Sequence, residues 1–200
     1  MPAKTAKATR PAAVESRFPR TVSLKGGRTV ELRLMSDGDQ ALMLSFAHGL
    51  PADDLLFLRR NIAEPAAVQE WIDDISAGQS LTVLAIDGEA IAGYGSLHFN
   101  PASWMRHLGE IRMLAGVPYR GGGLGRVLAS EIYATAKLMG LRKLTAQMTL
   151  DQAGARATFE RLGFKPEALL TDWVMAGDGR TRDLLVMAYD LEGLTDTVDV

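Results

Sequence analysis

The stretch best suited to chemistry in this 200-residue chain is Tyr119-Arg120-Gly121-Gly122-Gly123-Leu124-Gly125-Arg126. Four glycines stand between an alternating apolar segment and a run with helical periodicity. Glycine allows a tight turn and lets a ligand come close to the backbone amides. The start of a helix offers amides without intrahelical acceptors and a partial positive charge, so it suits a phosphate. Arg120 and Arg126 bracket the turn, and guanidinium groups pair well with phosphate oxygens. A plain flexible connector would not need four glycines flanked by two arginines. A P-loop requires GxxxxGK followed by serine or threonine. Neither lysine nor hydroxyl follows Gly125, which disfavours nucleotide hydrolysis. A dinucleotide fingerprint requires GxGxxG, and Arg126 stands where the third glycine belongs.

Other reactive residue types are sparse. There is no cysteine, which removes disulfides, thiolate metal sites and a cysteine nucleophile. His48, His98 and His107 are scattered without ligand spacing, so no metal centre is expected. The net charge of −2 argues against bulk nucleic-acid binding. No apolar run approaches the ~18 residues of a membrane span. Lys4, Lys7 and Arg10 have no apolar stretch behind them, so the start is not a secretory signal, and a cytoplasmic location is expected.

The elements that would position the turn follow from periodicity. Residues 1–20, rich in Ala, Thr, Pro and basic side chains, read as a disordered basic tail. A single domain is expected over residues 21–195. Val30, Leu32 and Leu34 alternate as in a half-buried strand. Asp37 suits the N-cap of a helix over about 39–47, DDLLFLRR reads as a short second helix, and Pro65 starts a third with Val68, Trp71, Ile72 and Ile75 on one face. LTVLAI and AIAGYGSLHF flank Asp87-Gly88-Glu89, a hairpin signal. LGEIRMLA at 108–115 is a strand. Leu124, Val127, Leu128, Ile132, Ala136 and Met139 recur at helical spacing, with Gly140 as the stop. A strand over 143–149, a helix capped by Asp151, and strands over about 168–175 and 184–190 complete a mixed α/β order. The 108–115, helix, 143–149 unit should be a parallel, right-handed crossover.

RGGGLG matches the R/Q-x-x-G-x-G/A pyrophosphate signature, and the chain resembles the GCN5-related N-acetyltransferases over roughly residues 28–190. The opening strand VELRLMSDGDQ, the hairpin with Asp-Gly, the strand–RGGGLG–helix unit and Arg161-Leu162-Gly163-Phe164 carry the resemblance. It implies a mixed α/β fold: a twisted sheet of six to seven strands, helices on both faces, and a splay between the family's fourth and fifth strands. It also implies acetyl-CoA as co-substrate, with no metal. The segment Arg120, Gly121, Gly122, Gly123, Leu124, Gly125 and Arg126 would hold the pyrophosphate. The strand segment Met113, Leu114 and Ala115 would bind the pantetheine arm and acetyl carbonyl through its backbone, with Ala115 where the family more often has valine.

Acetyl transfer to an amine needs a base, because an alkylamine has a pKa near about 10.4. Glu110 resembles the glutamate on the corresponding strand of histone-type members and is the candidate base. A structural ion pair with Arg112 is the alternative. Asp172, His98 and His107 are weaker candidates, the histidines flanking a loop that would overhang the cleft with Trp104. The position that usually carries the family's acidic tyrosine is Phe159, and Gln152 replaces its asparagine. Tyr94 or Tyr119 could substitute as acid, or the thiolate leaves unaided. The expected acceptor is a protein or small-molecule amine, and Asp53 and Asp54 could attract a cationic one. A non-catalytic acyl-CoA-binding module, or an interaction protein with a vestigial site, are the other readings. The oligomeric state stays open, a homodimer among the options.

Overall fold

In the computed structural model, residues 11–55, 58, 60–175 and 179–191 are described. One eight-stranded sheet organises them, in the order β1-β2-β3-β4-β5-β6-β8-β7. Its strands are β1 (Arg20–Ser23), β2 (Thr29–Leu34), β3 (Ser80–Asp87), β4 (Ala90–His98), β5 (Leu108–Ala115), β6 (Lys143–Thr149), β7 (Lys165–Met175) and β8 (Thr181–Asp190). The helices are α1 (Ala12–Glu15), α2 (Gln40–His48), α3 (Ala52–Leu55), α4 (Pro65–Ser76), α5 (Leu124–Leu138) and α6 (Ala153–Arg161). Ser36 and Asp39, rather than Asp37, form the capping box before α2. Among the described residues no helix is long and apolar enough to cross a membrane.

Two cores lie on the two faces of the sheet. Leu124, Leu128, Ile132 and Ala136 of α5 pack with Leu97, Ile111 and Leu144 on one face. Trp71, Ile72 and Ile75 of α4 pack with Met43, Phe46, Leu84 and Tyr94 on the other. Each set follows the i, i+3/i+4 rows of its helix, so both helices are amphipathic for a physical reason visible in the sequence. Gly95 lets α5 lie close on β4: a Cβ there would stand 3.1 Å from Ile132 Cγ1.

The β5–α5–β6 crossover is parallel, and its two strands stay together only at Leu108↔Lys143, Gly109↔Leu144 and Glu110↔Thr145. Meanwhile β5 keeps its antiparallel partner β4 from His98↔Glu110 to Gly93↔Ala115. Beyond Glu110, then, the β6-facing edge of β5 has no strand partner, and a gap opens between the two strands. This is the expected splay, between β5 and β6 in the present numbering.

The eighth strand, β1, begins at Arg20, where the expected tail ends. Residues 11–20 are docked rather than solvated. Val14 is fully buried, and β1 pairs with β2 from Arg20↔Leu32 to Ser23↔Thr29. Glu131, buried in α5, accepts hydrogen bonds from Arg17 at 2.9 Å and from Arg20. A buried carboxylate without partners is strongly unfavourable, and composition could not reveal that the two arginines meet this need. Residues 1–10 lie outside the described residues.

Candidate functional site

The glycine turn joins β5 to α5 through backbone that only glycine takes easily. Gly121 has φ +74° and Gly123 φ +90°. Gly123 is the N-cap of α5, and the first amide claimed by the helix is that of Val127, which donates to the Gly123 carbonyl at 3.1 Å. The amides of Leu124, Gly125 and Arg126 precede it and have no intrahelical acceptor. A concave set of donors thus lies at the positive end of a 15-residue helix.

The β1–β2 hairpin supplies basic residues that the sequence reading missed. Lys25 N–H donates to the Gly122 carbonyl at 3.0 Å. Its Cγ lies 3.9 Å from where a Gly123 Cβ would stand. Arg28 lies over the Tyr119 ring, 4.7 Å from its centroid, and donates to the Pro118 carbonyl at 3.3 Å. The only signal was Lys25-Gly26-Gly27-Arg28 itself, which reads as a turn. Arg126 is exposed on the first turn of α5. Arg120 is already engaged: its Nε donates to the Ala115 carbonyl at 3.1 Å and its Nη2 pairs with Asp54. The Asp54 carboxylate expected to draw a cationic acceptor therefore anchors α3 to the turn. The Asp53 side chain lies outside the described residues.

On the α2–α4 face the side chains of β4 and β5 line a cavity of about 480 Å³. Glu110, Arg112, Ser96, His98 and Tyr94 form its sheet wall, with Trp71, Arg60 and Asp74 opposite. A neighbouring cavity shares Leu58, Glu110, Arg112 and Gln147, then continues along β6 past Thr149 and Gln152 to Trp173 and Met175 on β7. The two meet at Glu110 and Arg112, beside the mouth of the splay. Glu110 and Arg112 form an ion pair along the same face of β5. His98 Nε2 lies 3.0 Å from Ser96 Oγ, and its ring tilts against Trp71 at 6.4 Å. Arg60 pairs with Asp74.

The remaining candidates separate cleanly. Of the two histidines only His98 lines the cavity; His107 is exposed. Trp104 is 85% exposed and does not overhang the cleft, and Ser103 and Met105 of that loop line it instead. Asp172, at φ +54°, is an exposed hairpin residue bonded to Asp183 and Thr181, and it lines neither cavity. Tyr119 donates to Asp87 at 2.9 Å. Burial, then the Asp87 hydrogen bond and charge, raise its pKa against an opposing effect of Arg28. Tyr94 is buried in the cavity wall, and burial raises its pKa, so it stays protonated. Phe159 is 8% exposed and meets Phe164 edge-on at 5.0 Å, a core contact. Gln152 caps backwards, its Oε1 accepting from the Thr149 amide at 3.0 Å. Among the described residues no three His, Cys, Asp or Glu side chains group to hold a metal ion.

Several solved structures share this architecture. An acetyltransferase of the GNAT family from Streptococcus pneumoniae superposes with TM-score 0.67 at 20% identity, covering 80% of this chain and 99% of that one. The GNAT domain of S. lividans PAT gives 0.71 at 17%, covering 91% and 99%. The YncA protein of Salmonella typhimurium, solved with its cofactor acetyl-CoA, gives 0.69 at 19%, covering 83% and 96%. No curated protein matches the sequence. The model of the acetyltransferase (GNAT) family matches residues 52–164, from α3 through the glycine turn to the end of the Arg161–Phe164 segment. This chain therefore belongs to the GNAT acetyltransferase family.

Proposed function

We propose that the protein is an acyl-CoA-dependent N-acetyltransferase that moves an acetyl group to an amine. The observation that carries this reading is the glycine turn at the start of α5, opening beside the β5–β6 gap. The donor set fits the group: consecutive free amides and two positive-φ glycines form a cradle that a Cβ or a negative charge would spoil. The amides from Gly121 to Arg126, with Lys25 and Arg126 beside them, would hold the pyrophosphate. The edge of β5 that lacks a strand partner, from Met113 through Leu114 to Ala115, would take the pantetheine arm. Bound there, acetyl-CoA supplies a reactive thioester.

The chain's own residues have two tasks. Glu110 takes a proton from the incoming ammonium, directly or through water, and Arg112 holds its carboxylate in place. Tyr94, kept neutral by burial, is the hydroxyl available near the wall of the same cavity. Transfer forms the C–N bond and breaks the C–S bond. Of the two protons lost by the ammonium, one ends on the sulfur and one in solvent.

The buried Phe159 favours a second reading, an acyl-CoA-binding module without turnover, since it removes the family's usual acid. Calorimetry with acetyl-CoA, followed by thiol release in an amine panel, separates the two. Micromolar binding that is abolished in a folded Gly123→Glu variant, together with CoA release, is expected. Unchanged affinity in Gly123→Glu would refute the phosphate cradle. Binding without release from any amine would favour the second reading.

A further inference from the structure

Three residues that line the 480 Å³ cavity each carry a buried hydrogen-bond donor with no partner among the described residues: Arg60 Nη1, Trp71 Nε1 and Arg112 Nε. Guanidinium and indole N–H groups can only donate, so what is missing is an acceptor. Buried donors are nearly always satisfied in native proteins, by protein, water or ligand. Here the three side chains come from separate segments and line one cavity, and Trp71 is only 3% exposed. Each arginine already spends another nitrogen on a carboxylate, Asp74 or Glu110. The unspent groups therefore ask for one more oxygen-bearing anion.

We infer that this cavity receives the acetyl acceptor, and that the acceptor is a small amine carrying a carboxylate, an amino-acid-like molecule held by Arg60, Trp71 and Arg112. The inference rests on the acetyltransferase reading and names its substrate class. The carboxylate completes the donor set, while Glu110 on the same wall faces the amine. Leu58, Ile62, Phe99 and Met105, also on the wall, leave room for an apolar side chain. A polyamine or a lysine side chain would bring donors to a place already in surplus of donors. The product is the N-acetyl amino acid, with the acetyl carbon moving from sulfur to nitrogen.

The test uses the full chain with acetyl-CoA. The acceptors are the protein amino acids, each beside its decarboxylated amine and its amide, together with spermidine and a lysine peptide. Thiol release gives kcat/KM, and calorimetry gives binding of the same amino acids without acetyl-CoA. At least tenfold preference for a carboxylate-bearing amine over its decarboxylated partner is expected, with matching calorimetric binding. Trp71→Phe keeps an aromatic ring and removes the N–H. Arg60→Gln is an independent variant in the segment that precedes α4. Each should cut the preference by about tenfold, through KM for the carboxylate-bearing amine. Equal or better use of the amine, spermidine or peptide would overturn the inference and leave the transferase reading standing. Acetyl-CoA binding with no amino acid bound or acetylated would also overturn it. Absence of acetyl-CoA binding would remove both readings.

Discussion

The two faces of the β4–β5 pair offer donors in opposite ways. On the α5 face they are consecutive backbone amides, fixed by the turn from Arg120 to Arg126 and by the helix that follows. On the α2–α4 face they are side chains, from Arg60, Trp71 on α4 and Arg112 on β5, brought together only by packing across the sheet. The first face tolerates loss of any one side chain, because its donors are the backbone itself. The second depends on each side chain, because every donor has its own support. One face is suited to a group that is the same in every reaction, the other to a group that selects.

The largest test of this division is Glu110→Gln. Loss of a general base lowers kcat/KM by roughly 10²–10⁴ at neutral pH, while acetyl-CoA affinity by calorimetry stays the same. The defect should shrink towards pH 9, where more of the acceptor is already unprotonated. An unaltered kcat/KM from pH 6 to 9 would hand the role to His98 on the same wall.

Next in size is the support beneath α5. Deleting residues 1–20 removes Val14, Arg17 and Arg20, and leaves Glu131 without its ion pairs. A stranded carboxylate that water can partly reach costs about 2–3 kcal/mol, a fall in melting temperature of roughly 5–10 °C for this size. Adding Glu131→Gln to the truncated chain should recover part of the loss. A melting temperature unchanged by truncation would show that the segment does not hold α5.

The smallest effect belongs to Phe159→Tyr, which puts a hydroxyl into the packing against Phe164. An unpaired buried hydroxyl costs about 1–3 kcal/mol, with kcat unchanged. A gain in kcat would instead mean that the ring faces the reacting sulfur, and the division between the faces would need redrawing.

What the sequence determined by itself was whatever depends on neighbours along the chain. Asp87-Gly88 closes the β3–β4 hairpin, the apolar rows of α4 and α5 mark their buried faces, and four glycines with two arginines mark the turn. Each is settled by backbone conformation or periodicity within a few residues. Tertiary structure decided the rest. Arg120 was legible as a cation, but its engagement with Asp54 and the Ala115 carbonyl was not. Residues 11–20 have the composition of a tail and become ordered because a buried Glu131 far along the chain needs two arginines. Arg60, Trp71 and Arg112 look ordinary one at a time. They become a candidate site only where the fold gathers three side chains with unmet donors along one cavity, because desolvation, which turns an unmet hydrogen bond into a demand, is a property of the packed molecule rather than of any segment of it.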